Sequence, residues 1–130
     1  MKAKRPVVWF EIYVDDINRA QKFYETVLDI QLYEMPMPSA LSVEMKMLAF
    51  PMDNMHDAGA GGTLVKMNDY AAGGNSTIVY FESEDCSVEE GRIEKAGGKI
   101  VQPKQSIGEY GAVVLALDSE GNKFGVHSQR

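Results

Sequence analysis

The chain has 130 residues, 45% of them apolar and 25% charged, a balance that allows a compact domain with a buried core and argues against a disordered polymer. Its net charge of −6 disfavours nucleic acid, whose phosphates are bound largely through Lys and Arg, and Lys2, Lys4 and Arg5 form only a short cluster. Cys86 is the single cysteine, which excludes an intramolecular disulfide and a thiolate zinc site.

No apolar run approaches the roughly 20 residues that cross a bilayer. Nor does MKAKRPVVWFEI lead into the apolar stretch and small-residue cleavage site of a secretory signal. The expectation is a soluble cytoplasmic protein with no membrane partner.

VVWFEIYVDD, residues 7–16, alternates as a strand. Val8, Phe10, Ile12 and Val14 take one face, and Trp9, Glu11 and Tyr13 the other. An aromatic and acidic face suits a cavity wall. DDINRAQKFYETVLDI follows, with Asp15 or Asp16 as helix cap and Ala20, Phe23, Tyr24, Val27 and Leu28 at helical spacing. Three strand-like segments come next, IQLYEM, LSVEMKMLAF and GTLVKM, punctuated by PMPSA and DAGAGG.

NDYAAGGNS, residues 68–76, is a turn-rich linker, after which the pattern restarts. TIVYFESEDCSVEEGRIEKAGGKIV supplies a strand, an Asp85 cap, a short helix and a Gly97-Gly98 stop. AGGKIVQP, GAVVLALD and NKFGVHS then read as strands, the last two joined by the turn DSEGN. The order strand, helix, three strands thus occurs twice, with module one at about 5–67 and module two at about 77–128 of a single domain. Matching Val8-Trp9-Phe10-Glu11 to Val79-Tyr80-Phe81-Glu82 gives an offset of 71, and matching Asp16 to Asp85 gives 69. The two registers differ by two residues, so both leave Trp9, Glu11 and Tyr13 facing as Ile78, Tyr80 and Glu82 do.

The paired βαβββ pattern resembles the vicinal oxygen chelate superfamily of glyoxalases, bleomycin resistance proteins and extradiol dioxygenases. The residues that carry the resemblance are Val14-Asp15-Asp16-Ile17-Asn18-Arg19-Ala20, Phe23-Tyr24 and Val27-Leu28, together with Asp118-Ser119-Glu120-Gly121-Asn122. Asp29 and Ser119 stand where the family pattern has glycine and proline. The resemblance implies an α+β fold of two modules forming a curved, eight-stranded open barrel around a cavity, usually completed in a homodimer. It also implies that metal-bearing members draw ligands from the opening and closing strands of each module. Carried over by position, those sites fall on Trp9, Ile78, Gly125 and the stretch Thr63 to Met67, none of which offers a usual donor. No metal or other cofactor is therefore expected.

Trp9, Glu11, Tyr13, Tyr80 and Glu82 are the expected wall of a ligand pocket. The two carboxylates would anchor a cationic or hydrogen-bonding guest and the aromatic rings would stack on a planar one. The other reading is that one or both pair with a nearby Lys or Arg or reach water at the cavity rim, still on the inner face. Seven of the eight methionines lie between Met35 and Met67, and Met45 and Met47 share a strand face, so they serve either as an adaptable apolar lining or as core filler. Tyr110, between two glycines in SIGEYGAV, reads as the tip of a lid or of an ordinary turn. His127 has the strand parity of Gly125 and so faces the cavity near its edge, or solvent near the end of the chain. His56, in a loop with no neighbouring ligands, reads as incidental, and Cys86 as inert packing. GAGG, residues 59–62, precedes a strand and does not suit a phosphate-cradling loop.

Three functions compete. The preferred one is a metal-independent small-molecule-binding protein for an aromatic or cationic ligand. The second is a glyoxalase-like lyase, isomerase or dioxygenase with a shifted metal site at Glu11, Glu82 and His127, with or without a residue from a partner chain, or with Glu11 as general base. The third is an interaction module with a Met-rich docking surface.

Overall fold

Asp16 decides how the chain leaves its first strand. The computed structural model describes residues 7, 9–36, 45–52, 59–68 and 70–130. Within it β1 is Trp9–Tyr13, with Ile12 buried and Glu11 exposed. Asp16 is extended, and its carboxylate accepts the Arg19 N–H at 3.0 Å, capping α1 (Ile17–Leu28). Ile17, Ala20, Phe23, Tyr24 and Val27 form the buried stripe of that helix. The helix stops at Asp29, whose φ of 54° places it in the left-handed region that Asp tolerates, so the family glycine is dispensable here.

The first half continues through β2 (Tyr33–Glu34), β3 (Met45–Ala49) and β4 (Gly61–Met67). The second half repeats the order with β5 (Val79–Glu82), α2 (Cys86–Ile93), β6 (Lys99–Ser106), β7 (Ala112–Leu117) and β8 (Lys123–Ser128). Each half makes one four-stranded sheet, β1-β4-β3-β2 and β5-β8-β7-β6. In both, the opening strand runs parallel to the closing one and the other pairs are antiparallel. This is an α+β fold of two βαβββ modules, and the two sheets are not closed into a barrel.

Strand pairing also selects the repeat register. Tyr13 lies opposite Val65 and Glu82 opposite His127, while Val14 N–H donates to Val65 O just as Ser83 N–H donates to His127 O. Tyr13 to Glu82 and Val14 to Ser83 are both 69 positions apart. Trp9, Glu11 and Tyr13 are therefore the counterparts of Ile78, Tyr80 and Glu82, and Thr63 of Gly125.

Two segments depart from the sequence reading. IQLYEM narrows to Tyr33–Glu34, paired with β3 and followed by one further bond from Met35 N–H to Met47 O at 3.0 Å, while the Leu32 N–H is taken by the Glu25 carboxylate at 2.9 Å. β6 instead runs on to Ser106 through Pro103, which an edge strand allows, and the pairing is irregular between Gln102 and Gln105. Val8, residues 41–44, Met37, Met55, His56 and the Lys2–Arg5 cluster lie outside the described residues.

The core joins the halves. Tyr24 of α1 packs on Phe81 and Phe124 of the second half, each at 5.8 Å between ring centroids, and Phe10 meets Phe81 at 6.2 Å. Truncating a buried ring such as Phe124 would cost about 3–5 kcal/mol. The turn DSEGN reinforces this contact with polar bonds. Asp118 accepts the Glu120 and Asn122 N–H groups and the buried Tyr24 hydroxyl, the last at 2.6 Å. Glu120 reaches the start of α1, and Asn122 Nδ2 donates to Tyr13 O at 3.0 Å. The motif that carries the resemblance is thus a clamp between modules rather than a reactive group. Among the described residues no helix is long and apolar enough to cross a membrane.

Candidate functional site

β1 presents Trp9, Glu11 and Tyr13 on the face opposite its core residues, and the register brings Met47 onto the same face. Tyr13, Val65 and Met47 form one cross-strand row, and Glu11, Thr63 and Ala49 the next. Met45 stands opposite Met67 on that face, further from β1. The Tyr13 hydroxyl donates to Glu11 Oε1 at 2.8 Å, and the Tyr13 ring stacks on Tyr70 at 5.0 Å and 23°. The bond to Glu11, helped by burial and by the negative charge, pushes the Tyr13 phenol up to about 12. It remains a proton donor across the ordinary pH range and holds the carboxylate in place. Thr63 beside Glu11 is fully buried, and its Oγ1 has no hydrogen-bond partner among the described residues.

The second half offers Tyr80, Glu82 and His127 on the equivalent face. Glu82 Oε1 lies 2.7 Å from His127 Nδ1, and the Tyr110 carbonyl oxygen lies 2.7 Å from His127 Nε2. The hydrogen bond to Glu82, followed by that to Tyr110, holds the imidazole pKa above its ordinary value. Tyr110 joins this group through its backbone alone, since the residue is 68% exposed at the end of a one-turn 3-10 helix, Gly108–Tyr110.

A cleft of about 280 Å³ opens between the modules. Phe10, Tyr13, Tyr24 and Phe124 supply aromatic walls, and Glu11, Asn75, Asn122 and Lys123 supply polar ones. The linker forms one side and is anchored in three places. Ala72 N–H donates to Asp15 Oδ1 at 3.1 Å, Gly73 N–H to Asn122 Oδ1 at 2.7 Å, and Lys123 N–H to Asn75 Oδ1 at 3.2 Å. Such anchoring preorganises the cleft. Of the residues singled out from sequence, the cleft takes in Glu11 and Tyr13. Trp9, Met45, Met47, Tyr80, Glu82, Tyr110 and His127 lie outside its lining.

Asn75, Asn122 and Lys123 were not foreseen as site residues. Asn75 sits in the turn-rich linker and Asn122 in the DSEGN turn, and neither setting by itself marks a site residue. Lys123 carries no sequence signal, because strand pairing alone brings it beside the linker. Cys86 is buried at the start of α2 with its N–H bonded to Ser128 Oγ, which agrees with a packing role.

The positions that the resemblance assigns to metal ligands do not fit a metal. They hold Trp9, Thr63, Ile78 and Gly125, and the Tyr80 ring lies so close over Gly125 that an added Cβ would stand 2.4 Å from it. A carboxylate side chain at 125 has no room unless that ring moves. The shifted set of Glu11, Glu82 and His127 does not assemble either. Among the described residues no three His, Cys, Asp or Glu side chains converge, and both His127 nitrogens are already engaged.

Residues 7–45 match the family described as bleomycin resistance protein-like N-terminal. No curated protein matches the chain. Among solved structures, a V278E mutant of glyoxalase I from Zea mays superposes with a TM-score of 0.74 at 19% identity, covering 95% of this chain and 46% of that one. The chain therefore spans about half of the maize protein. A mutant fosfomycin resistance protein, FosX, from Listeria monocytogenes, solved with Mn(II) and a dihydroxypropylphosphonic acid, gives 0.65 at 14% identity over 99% of this chain and 95% of that one. A hypothetical protein from S. aureus gives 0.64 at 16% identity over 97% and 99%. At these identities the superpositions establish the fold. The opening segment is thus similar to the bleomycin resistance protein-like family, and nearly the whole chain shares the fold of glyoxalase I and FosX.

Proposed function

We propose that the chain is a metal-independent small-molecule-binding protein of the glyoxalase and bleomycin-resistance type, and that the inter-module cleft takes a planar aromatic ligand bearing a cationic or hydrogen-bond-donating group. The observation that carries this reading is Glu11. It lines an aromatic-walled cleft, and among the described residues the Tyr13 hydroxyl is its only hydrogen-bond partner and no cation pairs with it. A carboxylate held by one phenol keeps acceptor capacity for a guest, while Phe10 and Tyr13 offer surfaces on which a flat body can lie. Trp9, Tyr80 and the remaining face residues would extend the contact in a cytoplasmic homodimer. Exposed Tyr80 and the half-buried Val113 and Leu115 on the same sheet face support such a partner.

Calorimetry with benzamidine and its neutral analogue benzamide, in EDTA, tests the proposal. Benzamidine should bind with about tenfold preference, roughly the 1.4 kcal/mol of one charge-assisted contact, and Glu11→Gln should erase that preference. Equal affinity for both compounds, or binding that needs added metal, would reject this reading.

A further inference from the structure

His127 stands between two acceptors. Its Nδ1 faces the Glu82 carboxylate and its Nε2 faces the Tyr110 carbonyl oxygen, both at 2.7 Å. A neutral imidazole carries one N–H and one lone pair, so it can serve only one of these partners, whereas the imidazolium donates to both. Among the described residues, the groups packed beside the ring do not reverse this preference. β5 contributes Glu82 directly beside His127 in register, β7 contributes the uncharged Val113 opposite, and the Gly108–Tyr110 turn contributes a carbonyl.

The turn depends on this bond. None of its three residues is buried. Its other hydrogen bonds stay within its own neighbourhood, with Ile107 N–H to Gly111 O, Gly111 N–H to Gly108 O and Gly108 N–H to Ser106 Oγ. Among the described residues only the His127 ring ties residues 108–110 to β8. We propose that His127 is a protonation-dependent latch, which as imidazolium holds the Tyr110 turn against the sheet beside Glu82 and on losing its proton lets the turn go. The remaining N–H of the neutral ring goes to the charged acceptor, Glu82, the stronger of the two. The Nε2 lone pair is then left pointing at a carbonyl oxygen, and that repulsion drives the turn outward. This latch lies outside the lining of the inter-module cleft, and its titration is read without the ligand proposed there.

The test is an NMR titration of the full chain from pH 5 to 9, following the imidazole protons and the amides of Gly108, Tyr110 and Gly111. The chain has two histidines, His56 and His127, and His127→Gln assigns the signals. Both latch side chains reach solvent, at 24% exposure for His127 and 73% for Glu82, so their variants keep the fold. Three results are expected. The His127 midpoint lies above the ordinary value near 6.5, the three amides titrate with that same midpoint, and Glu82→Gln lowers both together. His127→Gln should leave those amides flat across the range. A midpoint at or below 6.5, amides that ignore the ring, or amides that still titrate in His127→Gln would each overturn the latch.

Discussion

Glu120, in the turn between β7 and β8, caps the first helix of the opposite module. Its Oε1 accepts the Asp16 N–H at 2.9 Å and the Asp15 N–H at 3.1 Å, and Arg19 Nε closes on Oε2 at 2.6 Å. Helix dipole, orphan amides and a guanidinium all converge on one carboxylate whose side chain is inaccessible to solvent. Ser119, at the family's proline position, adds its own hydroxyl at 2.9 Å. The departure from the motif thus strengthens the cap.

Removing that carboxylate should cost stability. Glu120→Ala leaves two amides without their acceptor, and we expect a loss of about 3 kcal/mol in urea denaturation. The pH dependence follows from the same contacts. Burial pushes the Glu120 carboxyl up, but the Arg19 hydrogen bond and the Asp16 and Ser119 donors bring it down to about 2, below its ordinary 4.5. A depressed folded value means that the stabilisation is present above pH 4.5 and lost as pH falls from there through about 2. Glu120→Gln should therefore unfold with a shallower acid limb than the native chain, and parallel limbs would contradict this.

Tyr24 and Asp118 make a second polar link, buried under the aromatic cluster. Burial and the Asp118 charge push the Tyr24 phenol well above its usual range, so it stays a donor. Tyr24→Phe keeps the ring packing and removes the 2.6 Å hydrogen bond. The expected cost is about 1.5–3 kcal/mol, because the acceptor left behind is charged and partly desolvated. Urea midpoints with an unchanged m-value would report it.

Much of this architecture was legible before the fold was known, because period-two alternation in VVWFEIYVDD and helical spacing in Ala20, Phe23, Tyr24 and Val27 are local signals. Asp16 and Asp85 emerge as caps because a cap needs only its own next turn. The cleft was less legible. Glu11 and Tyr13 could be placed on one face by parity, but Asn75, Asn122 and Lys123 meet them through the linker's path, which no periodicity encodes. The same limit applies to His127, whose partner Glu82 is 45 residues away and adjacent only through the parallel pairing of β5 with β8.

Tyr80 and Gly125 should behave as one unit. Gly125→Ala drives a methyl group into the Tyr80 ring and should cost about 1–3 kcal/mol. In a Tyr80→Ala background most of that penalty should vanish, so the double-mutant cycle should show coupling of at least about 1 kcal/mol. Strict additivity would mean that the ring does not occupy this space.

Tyr13 and Glu11 allow a test at the alkaline end. The folded phenol titrates at about 12 against an ordinary 10.0, mainly through its hydrogen bond to Glu11. A raised folded value means that the unfolded chain loses this proton first. The stabilisation is then whole below pH 10 and disappears as pH rises through about 12. Glu11→Gln removes the charge that disfavours the phenolate, so its folded value should move back toward 10 and the alkaline loss of stability should become shallower. Tyr13→Phe should show the same shallower limb, since it deletes the titrating group itself. Urea midpoints at pH 9 and pH 11 for the native chain and both variants provide the comparison. If all three fall in parallel, the hydrogen bond that fixes Glu11 in the cleft is absent in solution, and the preorganised anchor proposed for the ligand goes with it.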